Sequence, residues 1–166
     1  MHMTWYIVPL SAIIPMLIGF IWYNPKVFGN VWMQESGMTL EKARSANMAK
    51  TMGLALFFSL LLGAALSSNT IHQLHMNSIF EGDATLADPN SESSLYLKHF
   101  FDTYGTRFRT FKHGALHGFI LALLVAVPAI GYGVVFEMKS FRYAAIHMGY
   151  LLVSMSLQGG FICQFL

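Results

Sequence analysis

Charge is what this chain has least of. Only 11% of its 166 residues are Asp, Glu, Lys or Arg, against about a quarter in soluble domains. The shortage is concentrated. Residues 5–23, 51–71, 114–136 and 143–166 hold no charged side chain at all. An apolar helix of about 17–25 residues crosses a ~30 Å hydrocarbon layer, and a helix with no polar face cannot coat a soluble bundle. Four such windows exclude a soluble domain of this size. The expected fold class is an all-α membrane protein with four transmembrane helices in a bundle. The spans fall at about 4–23, 48–72, 113–136 and 142–165, with a polar insert at 76–112, all in one domain covering 1–166.

Other absences narrow the function. No carboxylate lies inside any window, which argues against an intramembrane aspartyl enzyme or a carboxylate-coupled pump. The single cysteine, Cys163, excludes an internal disulfide. The ten basic residues sit at window ends rather than in one patch, and the net charge is only +2, so nucleic acid is not an expected partner. No positive residue precedes the first apolar run and no small-x-small site follows it, so a cleaved secretory leader is not expected. No internal repeat supports an inverted-repeat transporter plan.

What is present punctuates the windows. Trp5 and Tyr6 open the first, and Trp22 and Tyr23 close it, as rings do at headgroup depth. Pro15 predicts a mid-span kink and Pro25 a stop. Residues 24–46 read as two short interfacial pieces, with Phe28, Val31 and Trp32 on one face, Gly37 ending the first and Thr39 capping the second. Span two carries small residues from Gly63 to Ser68 that permit close helix contact, and frays near His72 and His75. In the insert, "EGDATLADPNSES" predicts irregular backbone. Leu97, Phe100, Phe101 and Tyr104 then predict an amphipathic helix stopped by Gly105, lying on the membrane face, on a partner or over the bundle end. Pro128, Gly131 and Gly133 loosen the second half of span three.

Histidines are the remaining chemistry. In "HGALHGF" (113–119), His113 and His117 lie one turn apart, about 6 Å by helix rise. His72 and His75 end span two on the same side, and His2 belongs to that side as well. A zinc or copper site at His72, His75, His113 and His117 is the sharper reading. The plainer one, which is preferred, has these rings hydrogen-bonding across helices while Gly114 and Gly118 admit a close neighbour. Haem would need paired axial imidazoles on facing helices. His147, about 9 Å inside the opposite face by the same rise, is expected to pack between helices, with Tyr150, Gln158 or Ser59 as partner. No cofactor is expected, metal being the minority alternative, and no catalytic residue is assigned.

"GFIWYNPKVFGNVWMQESGMT" (19–39) resembles the N-terminal signature of the small bacterial membrane family known as domain of unknown function 1761. The residues carrying it are Trp22, Tyr23, Pro25, Phe28, Gly29, Trp32, Gly37 and Thr39. "HGALHGFILAL" and "AAIHMGYLLVSMSLQGGFI" resemble its third and fourth spans. Residues 76–112 look longer than the family's linker and should hold whatever is peculiar to this chain. The resemblance implies a four-helix integral membrane protein of the bacterial inner membrane and no established activity.

Basic residues set an expected orientation. Loops one and three with their flanks hold Lys26, Lys42, Arg44, Lys50, Lys139 and Arg142, against Lys98, Arg107, Arg109 and Lys112 on the other side. By the positive-inside rule, both termini are expected outside the cytoplasm. The expected function is a non-enzymatic subunit in the lipid bilayer, associating as a homo-oligomer or with a larger membrane complex. The alternatives are a small transport or permeation protein, or a histidine-ligated metal or haem subunit.

Overall fold

The computed structural model describes residues 3–166; His2 lies outside the described residues. Among these the fold is all helical, with no strand. Helix α1 (Ile7–Trp22) leads through a 51° bend into α2 (Pro25–Ser36). A short α3 (Leu40–Ser45) precedes α4 (Met48–Thr70) and α5 (Gln73–Ile79). The polar segment 76–112, called the insert below, contributes a 3₁₀ turn at Ala84–Ala87 and α6 (Glu92–Tyr104). Two long helices, α7 (Phe111–Phe136) and α8 (Phe141–Phe165), complete the chain.

Three helices, α4, α7 and α8, are long and apolar enough to cross a membrane, and a fourth is reached if α1 and α2 count as one bent span. The first apolar window therefore differs from the other three. Its helix is interrupted at Ala12, between Ile7–Ser11 and Ile13–Trp22. Pro15 has no N–H to give the carbonyl four residues earlier, so the ladder loosens there. Pro25 ends one helix and begins another. Asn24 is extended and its side chain accepts from Lys26 N–H at 2.9 Å, which turns the chain into a π turn at Pro25–Gly29. Gly29 is required at that turn, because a Cβ there would run into the Tyr23 carbonyl.

The remaining local signals act as capping chemistry dictates. Gly37 closes α2 at a left-handed φ of 69°, and Thr39 caps α3 by accepting from Lys42 N–H. A π turn at Ala122–Ala126 precedes Pro128, yet α7 continues to Phe136. The segment expected to be irregular folds around Asp83, whose carboxylate accepts from Thr85 N–H at 2.9 Å and from the Thr85 and Ser93 hydroxyls at 2.7 Å each.

The tightest packing lies between α7 and α8. A Cβ on Gly114 would strike the Gly159 carbonyl, and one on Gly118 the Met155 carbonyl. Close backbone approach of this kind is what small residues at i and i+4 permit. At the end of the molecule holding the chain termini, Ile7, Leu66, Ile71, Ala122, Met155, Ile162 and Leu166 form the buried apolar core. There Thr4 N–H donates to the Leu166 carbonyl at 2.7 Å, and the Arg109 guanidinium donates to the Cys163 carbonyl at 3.0 Å.

Candidate functional site

Chemistry-bearing side chains gather at both ends of α8. Near its start, Trp22 and Tyr23 at the end of α1 pack onto α8. The Trp22 indole N–H donates to the Ile146 carbonyl at 3.0 Å, and Gly149 leaves room for that ring. Tyr23 Oη lies 3.1 Å from His147 Nδ1, and Tyr143 packs its ring 4.4 Å from the same imidazole. Tyr150, one turn further on, donates to the Pro15 carbonyl at 2.9 Å.

The expected partners of His147 are therefore corrected. Tyr150 is occupied by Pro15, and Gln158 donates instead to Ser11 Oγ at 3.2 Å and to the Ser59 carbonyl at 3.0 Å. Tyr23 takes the place from the C-cap of α1, where its N–H still donates to the Gly19 carbonyl. The Gln158 knot ties α1, α4 and α8 together. Gly63 makes space for it, since a Cβ there would lie 3.0 Å from Gln158 Nε2. Ser11 carried no signal in the sequence beyond being polar in an apolar run.

His147, Tyr23 and Tyr150 stand in the wall between two cavities. The larger, about 580 Å³, lies between α1, α4 and α8, and Phe20, Trp32, Met52 and Phe58 help to line it. The smaller, about 360 Å³, lies between α7 and α8 and reaches Glu137. His147 Nε2 is buried and has no hydrogen-bond partner among the described residues.

At the far end of α8 a second group converges. His72, His113 and His117 place one ring nitrogen each within 4.8 Å of one another, and His72 Nε2 lies 3.0 Å from His113 Nε2. Helix α4 stops at Thr70, Ile71 is extended and α5 restarts at Gln73; that break carries His72 across to α7. His75 is not part of the group. One turn into α5, its Nε2 meets the Ser68 carbonyl at 2.9 Å. Gly114 and Gly118 each follow one of the two α7 histidines and hold a neighbouring face of the helix against α8.

The end of the polar segment packs beside these rings. Gln73 donates to the Tyr104 and Arg107 carbonyls at 2.9 and 2.8 Å, fastening the end of α6. Arg107 stacks between Tyr104 and Phe108. Phe108 adopts a left-handed φ of 63°, rare for an aromatic residue, and its ring stacks on His113 at 5.1 Å and 18°. Neither Gln73 nor Phe108 stood out in the sequence, where polar and aromatic residues near a span end are unremarkable.

The family motif is thus the scaffold of the first site. Tyr23 and Trp32 line the larger cavity, Trp22 stacks on Phe28 at 4.6 Å, and Pro25 and Gly29 make the turn between them. A family model described as "Protein of unknown function (DUF1761)" matches residues 7–163. No curated protein and no solved structure matches the chain. Nearly the whole length lies inside that one match, with the aromatic-Pro-Phe-Gly-Trp motif at the bend and the glycine-lined pairing of α7 with α8: the chain belongs to the DUF1761 family.

Proposed function

We propose that this chain is a single-domain, four-span membrane protein that acts by binding. Its ligand is a lipid-soluble molecule with one hydrogen-bonding group, held in the larger cavity beside His147. The four-span arrangement draws support from the termini. Thr4 is bonded to Leu166, and Arg109, just before α7, to Cys163. The start of α1, the start of α7 and the end of α8 therefore share one end, as four crossings require. The charge bias then puts both termini outside the cytoplasm, and the family resemblance favours the bacterial inner membrane.

One observation carries the binding function: the buried, unpartnered Nε2 of a histidine that lines both cavities. In either tautomer, the Tyr23 contact occupies Nδ1 and leaves Nε2 to a ligand. A buried polar atom without a partner costs about 1–3 kcal/mol, which a bound carbonyl or hydroxyl recovers. A cavity of about 580 Å³, apolar with a few convergent polar groups, has the size and lining of a small-molecule site.

Trp32 supplies the readout. A brominated long-chain alcohol entering the cavity should quench its fluorescence, read as the difference between the unaltered protein and Trp32→Phe. Gly19 lines the cavity, and a Cβ there meets only the Tyr150 ring at 3.7 Å, so Gly19→Leu fills the space without disturbing the backbone. The variant should abolish saturable quenching; equal quenching in both proteins rejects the reading.

Self-association, or docking into a larger complex, is a second reading. It is favoured by α7, of which only 6% of the spanning window is buried within the chain against 44% for α8. Native mass measurement tests it, a monomer in mild detergent counting against it.

A further inference from the structure

The histidine group at the other end of α8 is independent of the His147 cavity. We propose that His72, His113 and His117 bind a first-row divalent transition ion of the zinc type. A pair of histidines four apart on one helix arises often by chance. Here a third comes from the turn between α4 and α5, where the helix is interrupted. The ring nitrogens lie within 4.8 Å of one another, and the closest pair is 3.0 Å apart. Tetrahedral zinc, with Zn–N of about 2.0–2.1 Å, holds its nitrogen ligands roughly 3.3 Å apart.

The donor set selects the ion. Three neutral imidazoles, with no carboxylate among them, suit zinc, copper, nickel or cobalt and not calcium or magnesium. His113 and His117 are partly buried and His72 is exposed, so an ion can enter from the insert side. His72 also lines a cavity of about 330 Å³ with Gln73, Phe100, Tyr104, Arg107 and Phe108. That space leaves room beside His72 for water or a small anion as fourth ligand, near the Arg107 guanidinium. Structural zinc sites are closed by four protein ligands; three ligands and an adjoining cavity make this an open one.

The surroundings hold the first ligands in place. Phe108 keeps a left-handed backbone conformation rare for an aromatic residue, and its ring stacks on His113. Gln73, next to His72, is fixed by two carbonyls of the insert. Such supports limit how far the rings can drift apart.

The test uses the full chain in detergent, stripped of metal with a chelator and titrated with Zn(II) alone against a chromophoric competitor. Wild type should take up one equivalent. His113→Gln should weaken binding by roughly 100-fold or more, beyond the loss of a mere supporting residue. His75→Gln, whose ring is bonded to Ser68, should stay within about threefold of wild type. Co(II) should give visible d–d bands in the unaltered protein. Three results would each overturn the assignment: no saturable zinc uptake, equal damage from His75→Gln and His113→Gln, or no cobalt bands. If His113→Gln misfolds by circular dichroism, histidine modification of wild type decides. Zn(II) should shield His72, His113 and His117 from diethylpyrocarbonate and leave His75 reactive; uniform labelling contradicts the site.

Discussion

Gly118 and Gly133 lie on the same helix, and the difference between them measures what the α7–α8 contact is worth. A Cβ on Gly118 would collide with the Met155 backbone, while one on Gly133 meets nothing within 4 Å. Overpacking against backbone costs about 1–3 kcal/mol, whereas Gly→Ala in open helix gains up to about 1 kcal/mol. Gly118→Ala should therefore unfold at a lower temperature in detergent, and Gly133→Ala at the same or a higher one. Equal shifts would mean that the close approach contributes nothing. At this scale the sequence was partly legible. The glycine spacing pointed to a tight helix contact, and the histidine spacing to a shared face. The partner of His147 was not readable, because Tyr23 meets it only through the packing of α1 on α8, which no local residue reveals.

The insert is the element most open to solvent chemistry. Asp83 is bonded by Ser93, Thr85 and the Thr85 backbone, and these bonds hold its carboxyl below the ordinary range. The sign follows from which form they favour. Stabilisation is present in full above the unfolded value, near about 4, and is lost as pH falls through the lower folded value. Protection from hydrogen exchange across residues 83–94, taken relative to the intrinsic rate at each pH, should therefore fall on acidification below about pH 4. Asp83→Asn should show the lower protection already at neutral pH. An unchanged neutral profile in the variant would contradict the carboxylate's role. The exposed Lys98–Asp102 pair, 2.7 Å apart, adds little by comparison, since solvent screens it.

Elements were legible where one force dominated. The starts of α4 and α8 and the ends of α1 and α7 lie close to where charge or proline interrupts an apolar run. The turn at Asp83 was not foreseen, because polar, turn-rich sequence specifies only that the backbone leaves a helix. Whether it then collapses around one carboxylate depends on Ser93, ten residues away. Likewise, the stop at Pro25 and a short piece ending at Gly37 were legible, but not the π turn that joins them, which depends on Gly29 having no side chain to strike the Tyr23 carbonyl.

At the scale of the whole molecule, lipid is the solvent that makes the exposed apolar surface tolerable. Phe57, Phe58, Leu124, Val135 and Phe136 are each more than half exposed, and in water such a surface would drive aggregation. Backbone polarity is met inside each helix, as a bilayer demands. What charge patterning left open was whether the first window crosses, because α1 alone is shorter than the other spans and bends into α2. Single cysteines at Thr4, Glu41, Asp88 and Lys139, in a Cys163→Ala background, decide this when labelled with a membrane-impermeant maleimide from each face of oriented vesicles. Four crossings predict that positions 4 and 88 react from one face and positions 41 and 139 only from the other. Labelling of positions 4 and 41 from the same face would make α1 and α2 a re-entrant hairpin and contradict the account.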